Sequence, residues 1–165
     1  MNYLELDLKI IEKHGKSRRD KNFDFRSFLK CQDSDKIDSI VHHLFMEISK
    51  KIDCTSCGNC CTQLKALIEE KDIERLSHRL GITSQELIDT YTEKDEGEYY
   101  LKSLPCFFLK DKICSIYDDR PHECMSYPFL HKKDIISRLW GVVDNYSFCP
   151  IVYNVYEQLK IKFRR

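Results

Sequence analysis

The stretch CTSCGNCC, Cys54 to Cys61, packs four cysteines into eight residues, the last two adjacent. Thiols at that density belong to a disulfide framework, a metal centre or a redox-active dithiol. The chain holds nine cysteines, an odd number, so complete internal pairing into disulfides is impossible. The first residues carry acids at Glu5 and Asp7 and lack the basic start and continuous apolar run of a secretory signal. The expectation is a soluble, cytoplasmic protein, and in that compartment clustered cysteines turn toward metal or redox roles. A thioredoxin-type dithiol is disfavoured, because CTSC is not embedded in a strand–helix–strand pattern.

Composition narrows the partners. Lys plus Arg and Asp plus Glu are equal at 27 each, giving no formal net charge. A protein that neutralises many phosphates needs a basic surplus, so nucleic acid is not expected. No apolar run reaches the ~18 residues of a membrane span, so no membrane is expected either. At 165 residues and 42% hydrophobic content, the chain is long enough to bury a real core without crosslinks.

The pattern predicts an α+β fold: a mostly helical small domain with a short cysteine-bearing β-hairpin folded around a metal site. Three parts are expected: an N-terminal helical extension over 1–50, the cysteine-rich domain over 51–150, and a C-terminal helix over 151–165 packing on the same core. Within the extension, YLELDLKII alternates and then loses phase, HGKSRRDKN reads as a solvated loop, and FDFRSFLK as a short turn or helix. A helical stripe follows at Ile37, Ile40, Val41, Leu44, Phe45, Ile48 and Ile52, with Ser34 or Asp35 as its cap. His42 and His43 ride on it about 100° apart and are read as ordinary helix residues.

After the cysteine cluster, Leu64 to Ile68 suggests a short strand. Glu70 or Asp72 opens a helix with Ile73, Leu76 and Leu80 inward, which Gly81 ends. Thr83 with Glu86 has the form of a capping box for a helix burying Leu87, Ile88 and Tyr91. His78 is expected to be exposed. CFFL, KDK and ICSIY then read as a hairpin with a tight polar turn near Lys110 to Lys112, which Pro121 ends. DIISRLWGVVDNY suggests another short strand, and the tail a helix with Ile151, Val152, Val155, Tyr156, Leu159 and, at its end, Phe163 at helical spacing.

Setting Cys31 aside, eight cysteines remain: Cys54, Cys57, Cys60, Cys61, Cys106, Cys114, Cys124 and Cys149. These are the candidate metal ligands. Cys54, Cys57 and Cys60 repeat the CxxCxxC run used around iron–sulfur cubes, whose remote ligand precedes proline as Cys149 precedes Pro150. Gly58 and Asn59 are residue types that tolerate the positive φ of a thiolate knuckle. Adjacent Cys60 and Cys61 do not easily fill two corners of one tetrahedron, so the pair suits two centres or a bridging thiolate. Eight thiols divide into two sets of four, the coordination number of structural zinc. Reading a cysteine as a buried thiol would win for one residue and loses for this many. All-thiolate ligation suits zinc and iron alike, including an iron–sulfur cluster.

CTSCGNCC, followed by CFFLKDKICSIYDDRPHEC and then YPF, resembles the CxxCxxCC family, also called YkgJ-like, of zinc- or iron-chelating domains. The resemblance runs from about Cys54 to Pro150 and rests on the cysteines with Ile116-Tyr117, Arg120-Pro121 and Tyr127-Pro128. Met125 departs from it, since the family usually has Arg directly after that cysteine. The resemblance implies metal binding through the eight cysteines with the activity otherwise open. Some relatives carry the domain within flagellin lysine methylases, so the alternative is a metal-dependent enzyme modifying a protein side chain. An unidentified protein partner fits the first reading.

In mechanistic terms, the hairpin around Cys106 and Cys114 is expected to face the Cys54–Cys61 loop. Arg120 is the candidate to donate to thiolate sulfurs, or else to pair with Asp118 or Asp119. Tyr117, with Tyr127, either donates hydrogen bonds into the site or packs as an amphipathic aromatic. His122 is set aside as a ligand because the thiols already suffice for two full sites.

Overall fold

The computed structural model describes residues 4–164. In chain order its longer elements are α1 (Leu8–Ser17), α2 (Arg19–Leu29) and α3 (Ser34–Ser49), then the single turns α4 (Cys54–Cys57) and α5 (Cys60–Gln63). There follow β1 (Leu67–Ile68), α6 (Glu70–Leu80), α7 (Ser84–Tyr91), β2 (Thr92–Asp95), β3 (Glu98–Leu101), β4 (Leu109–Lys110) and β5 (Ile113–Cys114). The chain closes with α8 (His122–Ser126), α9 (Leu139–Asn145) and α10 (Pro150–Lys162). This is the mostly helical α+β composition expected. Two units form: one takes the chain up to Asp53 and from Pro128 onward, the other is Cys54–Tyr127.

The first unit is all helical among its described residues. Its centre is α10 against α3. Pro150 occupies the first turn of α10, where the missing amide costs nothing, and Ile151, Val152, Val155, Tyr156 and Leu159 are buried along it. On α3, Ile37, Val41, Leu44 and Ile48 are buried as the stripe predicts, while Ile40 and Phe45 are half-buried. The cap is Asp33, one residue earlier than expected, accepting from the Lys36 amide at 2.8 Å. The helix stops at Ser49, yet Ile52 beyond it is still buried.

Two expectations are overturned here. HGKSRRDKN is not a loop: it ends α1 and begins α2 with only Arg18 between them. Tertiary contact overrides its polar composition. A Cβ on Gly15 would stand 2.5 Å from the Ser147 Cβ, so glycine admits α1 to that neighbour. Asn22 is 1% exposed; its carbonyl accepts from the Tyr156 hydroxyl at 2.9 Å and its side chain from Lys160 at 2.6 Å. The run that begins at Tyr3, itself outside the described residues, turns helical from Leu8 because Asp7 caps α1, accepting from the Lys9 amide at 2.8 Å.

DIISRLWGVVDNY holds no strand. Ile135–Arg138 is a 3₁₀ turn leading into α9, with Leu139, Val142 and Val143 buried at helical spacing. The buried Asp38 carboxylate accepts from the amides of Asp134 at 2.7 Å and Ile135 at 2.9 Å, which fixes that turn. Short apolar runs do not separate strand from helix by period alone.

In the Cys54–Tyr127 unit, β3 lies between β1 and β2, antiparallel to both, with Leu67 opposite Tyr100 and Thr92 opposite Leu101. The β2–β3 hairpin turns at Glu96 and Gly97, both at positive φ, and the sequence reading had no strand there. Glu69 and Asp72 form a capping box on α6, which ends at Gly81 in the left-handed conformation. Thr83 and Glu86 form the expected box on α7. Ile68, Ile73, Leu76, Leu87, Leu101 and Phe108 share one buried cluster, and Cys106, Cys114 and Cys124 pack against it. His78 is exposed as expected. Among the described residues of the whole chain, no helix is long and apolar enough to cross a membrane.

Candidate metal centre

Seven of the eight candidate ligands, Cys54, Cys57, Cys60, Cys61, Cys106, Cys114 and Cys124, fall in the Cys54–Tyr127 unit. The knuckle is two single helical turns, α4 and α5, joined by Gly58 and Asn59. Gly58 takes φ +58°, whereas Asn59 is right-handed helical at φ −71°, so only glycine uses the left-handed freedom expected of both. Thr62 closes the second turn, its hydroxyl donating to the Asn59 carbonyl at 2.8 Å.

The hairpin β4–β5 sits against this knuckle. Leu109 pairs with Cys114 and Lys110 with Ile113, leaving Asp111 and Lys112 as a two-residue turn with φ +50° and +68°. That positive pair matches the right-handed twist of the flanking strands. The Lys112 carbonyl lies so close to Gly58 that a Cβ there would stand 2.5 Å from its oxygen. On the near side of the hairpin, the Cys106 amide donates to the Cys61 carbonyl at 2.8 Å. The arrangement expected of hairpin and loop is therefore present.

Cys124 reaches the same region on α8. The Glu123 carboxylate accepts from the Leu67 amide on the outer edge of β1. The Asp72 carboxylate, 1% exposed, accepts from the His122 amide at 3.0 Å and from Arg75 at 2.7 Å. Arg75 in turn donates to the Arg120 carbonyl at 2.8 Å. Asp72, Arg75 and Glu123 thus position the segment that carries Cys124. The sequence reading gave none of them that role; the capping-box position of Asp72 was the available signal.

The thiols influence one another. The Cys60 thiol donates to the Cys61 sulfur and holds the Cys61 pKa down to about 7 against the opposing effect of burial. Burial pushes the Cys124 thiol up to about 12, and the charges of Cys61, Cys106 and Cys114 add to the shift. Cys106 and Cys114 are also raised, first by burial and then by the Cys61 charge, while Arg120 favours the Cys114 thiolate. Arg120 stacks over Tyr117, 3.7 Å from the ring centroid, and donates to the Tyr117 carbonyl. Asp119 pairs with Arg79 at 2.9 Å. Tyr127 is half-buried, and the His122 ring faces Ser126 and Glu69.

Cys149 lies in the other unit, 7% exposed at the N-cap of α10. Cys31 is exposed, its thiol directed at the Ser27 carbonyl at 3.6 Å. His42 meets the Lys132 carbonyl at 3.2 Å. No disulfide forms among the described residues. Nor, among them, are three or more Cys, His, Asp or Glu side chains arranged to hold an ion as they stand. The donor chemistry nevertheless fits a thiophilic ion: soft sulfur donors on three backbone segments, mutually repulsive once ionised.

A small α+β unit that sets a CxxCxxCC knuckle against a cysteine-bearing hairpin defines a cysteine-rich domain. The chain belongs to the CxxCxxCC family, whose model, described as "Putative zinc- or iron-chelating domain", matches residues 53–149. Compared with curated proteins and with solved structures, the chain has no significant match in either.

Proposed function

We propose that the Cys54–Tyr127 unit holds zinc or iron through thiolates drawn from Cys54, Cys57, Cys60, Cys61, Cys106, Cys114 and Cys124, and that the ion completes their convergence. The observation that carries this reading is the packing of the Cys106–Cys114 hairpin on the Cys54–Cys61 knuckle, joined where the Cys106 amide donates to the Cys61 carbonyl at 2.8 Å, with the Cys61 charge disfavouring ionisation of Cys106, Cys114 and Cys124 in a half-buried setting. Such a group is costly as bare thiolates and stable around a cation, because an ion replaces mutual repulsion with ligation. Arg120, fixed over Tyr117 and favouring the Cys114 thiolate, offsets part of the negative charge of a sulfur-rich centre. The role of Cys149 as an eighth ligand rests on the sequence pattern alone.

A bound zinc would crosslink knuckle, hairpin and α8; iron would add electron transfer. The test is purification without air, followed by metal analysis and a visible absorption spectrum. Zinc or iron should accompany the protein or be taken up by it, with acid-labile sulfide and a brown colour marking an iron–sulfur cluster. Folded protein that is ion-free and takes up neither metal overturns the proposal.

A further inference from the structure

On the helical unit, apart from any cysteine, α2 and α9 present a ladder of alternating cations and rings. Arg19 lies over the Phe23 ring at 5.2 Å from its centroid, Phe23 meets Trp140 at 4.9 Å, and Arg26 lies over Trp140 at 5.2 Å. Arg19, Phe23 and Arg26 follow at spacings of four and three, one face of α2. Trp140 is 54% exposed, much for the residue with the largest apolar surface. Neither arginine forms an ion pair with any described residue, and Arg26 carries a second anomaly: its Nε is buried without an acceptor. A guanidinium with one donor withdrawn from water and unsatisfied is poorly compensated, so an anion at its remaining donors gains more than at a solvated arginine.

We infer that this ladder is a docking surface for an acidic protein segment, one that lays an apolar side chain on Trp140 and sets carboxylates against Arg19 and Arg26. Charge complementarity selects the occupant. Two guanidinium groups without an ion-pair partner among the described residues flank an aromatic pair in which Phe23 is half-buried and Trp140 exposed, and aromatic and arginine anchors are the residues that concentrate binding energy in protein interfaces. Nucleic acid also stacks on such rings, but its many phosphates demand a basic surplus that a chain with 27 cations and 27 anions lacks.

Trp140 is the only tryptophan, so its emission reports on this surface alone. The full chain is titrated at low salt with an unstructured glutamate-rich peptide bearing one leucine, with the glutamine counterpart of that peptide, and with an oligothymidylate. The glutamate peptide should give a saturable change in emission. The glutamine peptide and the Arg19→Gln/Arg26→Gln variant should each bind about tenfold more weakly, the size of two exposed charge pairs. Circular dichroism of the variant checks that its helices are intact; if they are not, the glutamine peptide on the unaltered chain decides alone. No saturable change, equal binding of both peptides, or tighter binding of the oligonucleotide overturns the inference. It does not rest on the metal reading.

Discussion

The Cys106 amide donates to the Cys61 carbonyl at 2.8 Å, so the knuckle and hairpin are joined by backbone as well as by proximity. The second junction is steric, where Gly58 at φ +58° lies under the Lys112 carbonyl. Alanine at Gly58 meets both the left-handed penalty and a backbone oxygen that cannot rotate away. Gly58→Ala is expected to cost about 2–3 kcal/mol and to weaken metal uptake together with it. Chemical denaturation with parallel metal analysis checks this; an unchanged midpoint would show that the two segments do not press on each other.

Serine at Cys57 or Cys60 is expected to weaken metal binding by at least about tenfold and to lower stability with it, because ligation and folding are coupled. Cys31→Ser should do neither, since that thiol is exposed, lies just beyond α2 and is directed at the Ser27 carbonyl. Competition with a chromophoric chelator, read beside thermal melting, separates the outcomes.

Cys124 gives the metal-free chain a signature in alkali. Its folded pKa of about 12 stands above the ordinary thiol value of about 8.5. Between those values the unfolded chain loses a proton that the folded chain keeps, so stability falls as pH rises. Well below about pH 8.5 the thiol is protonated in both states and contributes nothing to that slope. Cys61 acts oppositely at lower pH: its depressed pKa favours the fold above the ordinary thiol value and loses that contribution as pH falls through about 7. Denaturant melts of chelator-treated protein between pH 8 and 10, a range of about two units around the thiol value, should show a steeper decline than in Cys124→Ser. Equal slopes would remove the buried thiol from the account.

In the helical unit, Asp38 caps the turn before α9 with two amide contacts. Asp38→Ala leaves both amides without their acceptor and should cost about 2–4 kcal/mol, whereas Asp38→Asn keeps an oxygen and should cost less. Urea denaturation followed by far-ultraviolet dichroism measures both.

The sequence determined what is local. Caps at Thr83 and Gly81, the stripe on α3, the polar turn of the cysteine hairpin and the family itself were all legible, because each depends on residue types at fixed short spacing. Tertiary structure decided the rest. Residues 14–22 are polar enough for a loop and became helical through Gly15 meeting Ser147 and Asn22 binding Tyr156 and Lys160. The apolar run at 135–143 became helical through a carboxylate far away in the chain. The knuckle's eight-residue spacing announces thiol chemistry, but only the fold puts Cys106 on Cys61 and anchors Cys124 through Asp72 and Glu123. Contacts between distant segments leave no periodic trace in sequence, since their energy is realised only when the chain has closed on itself.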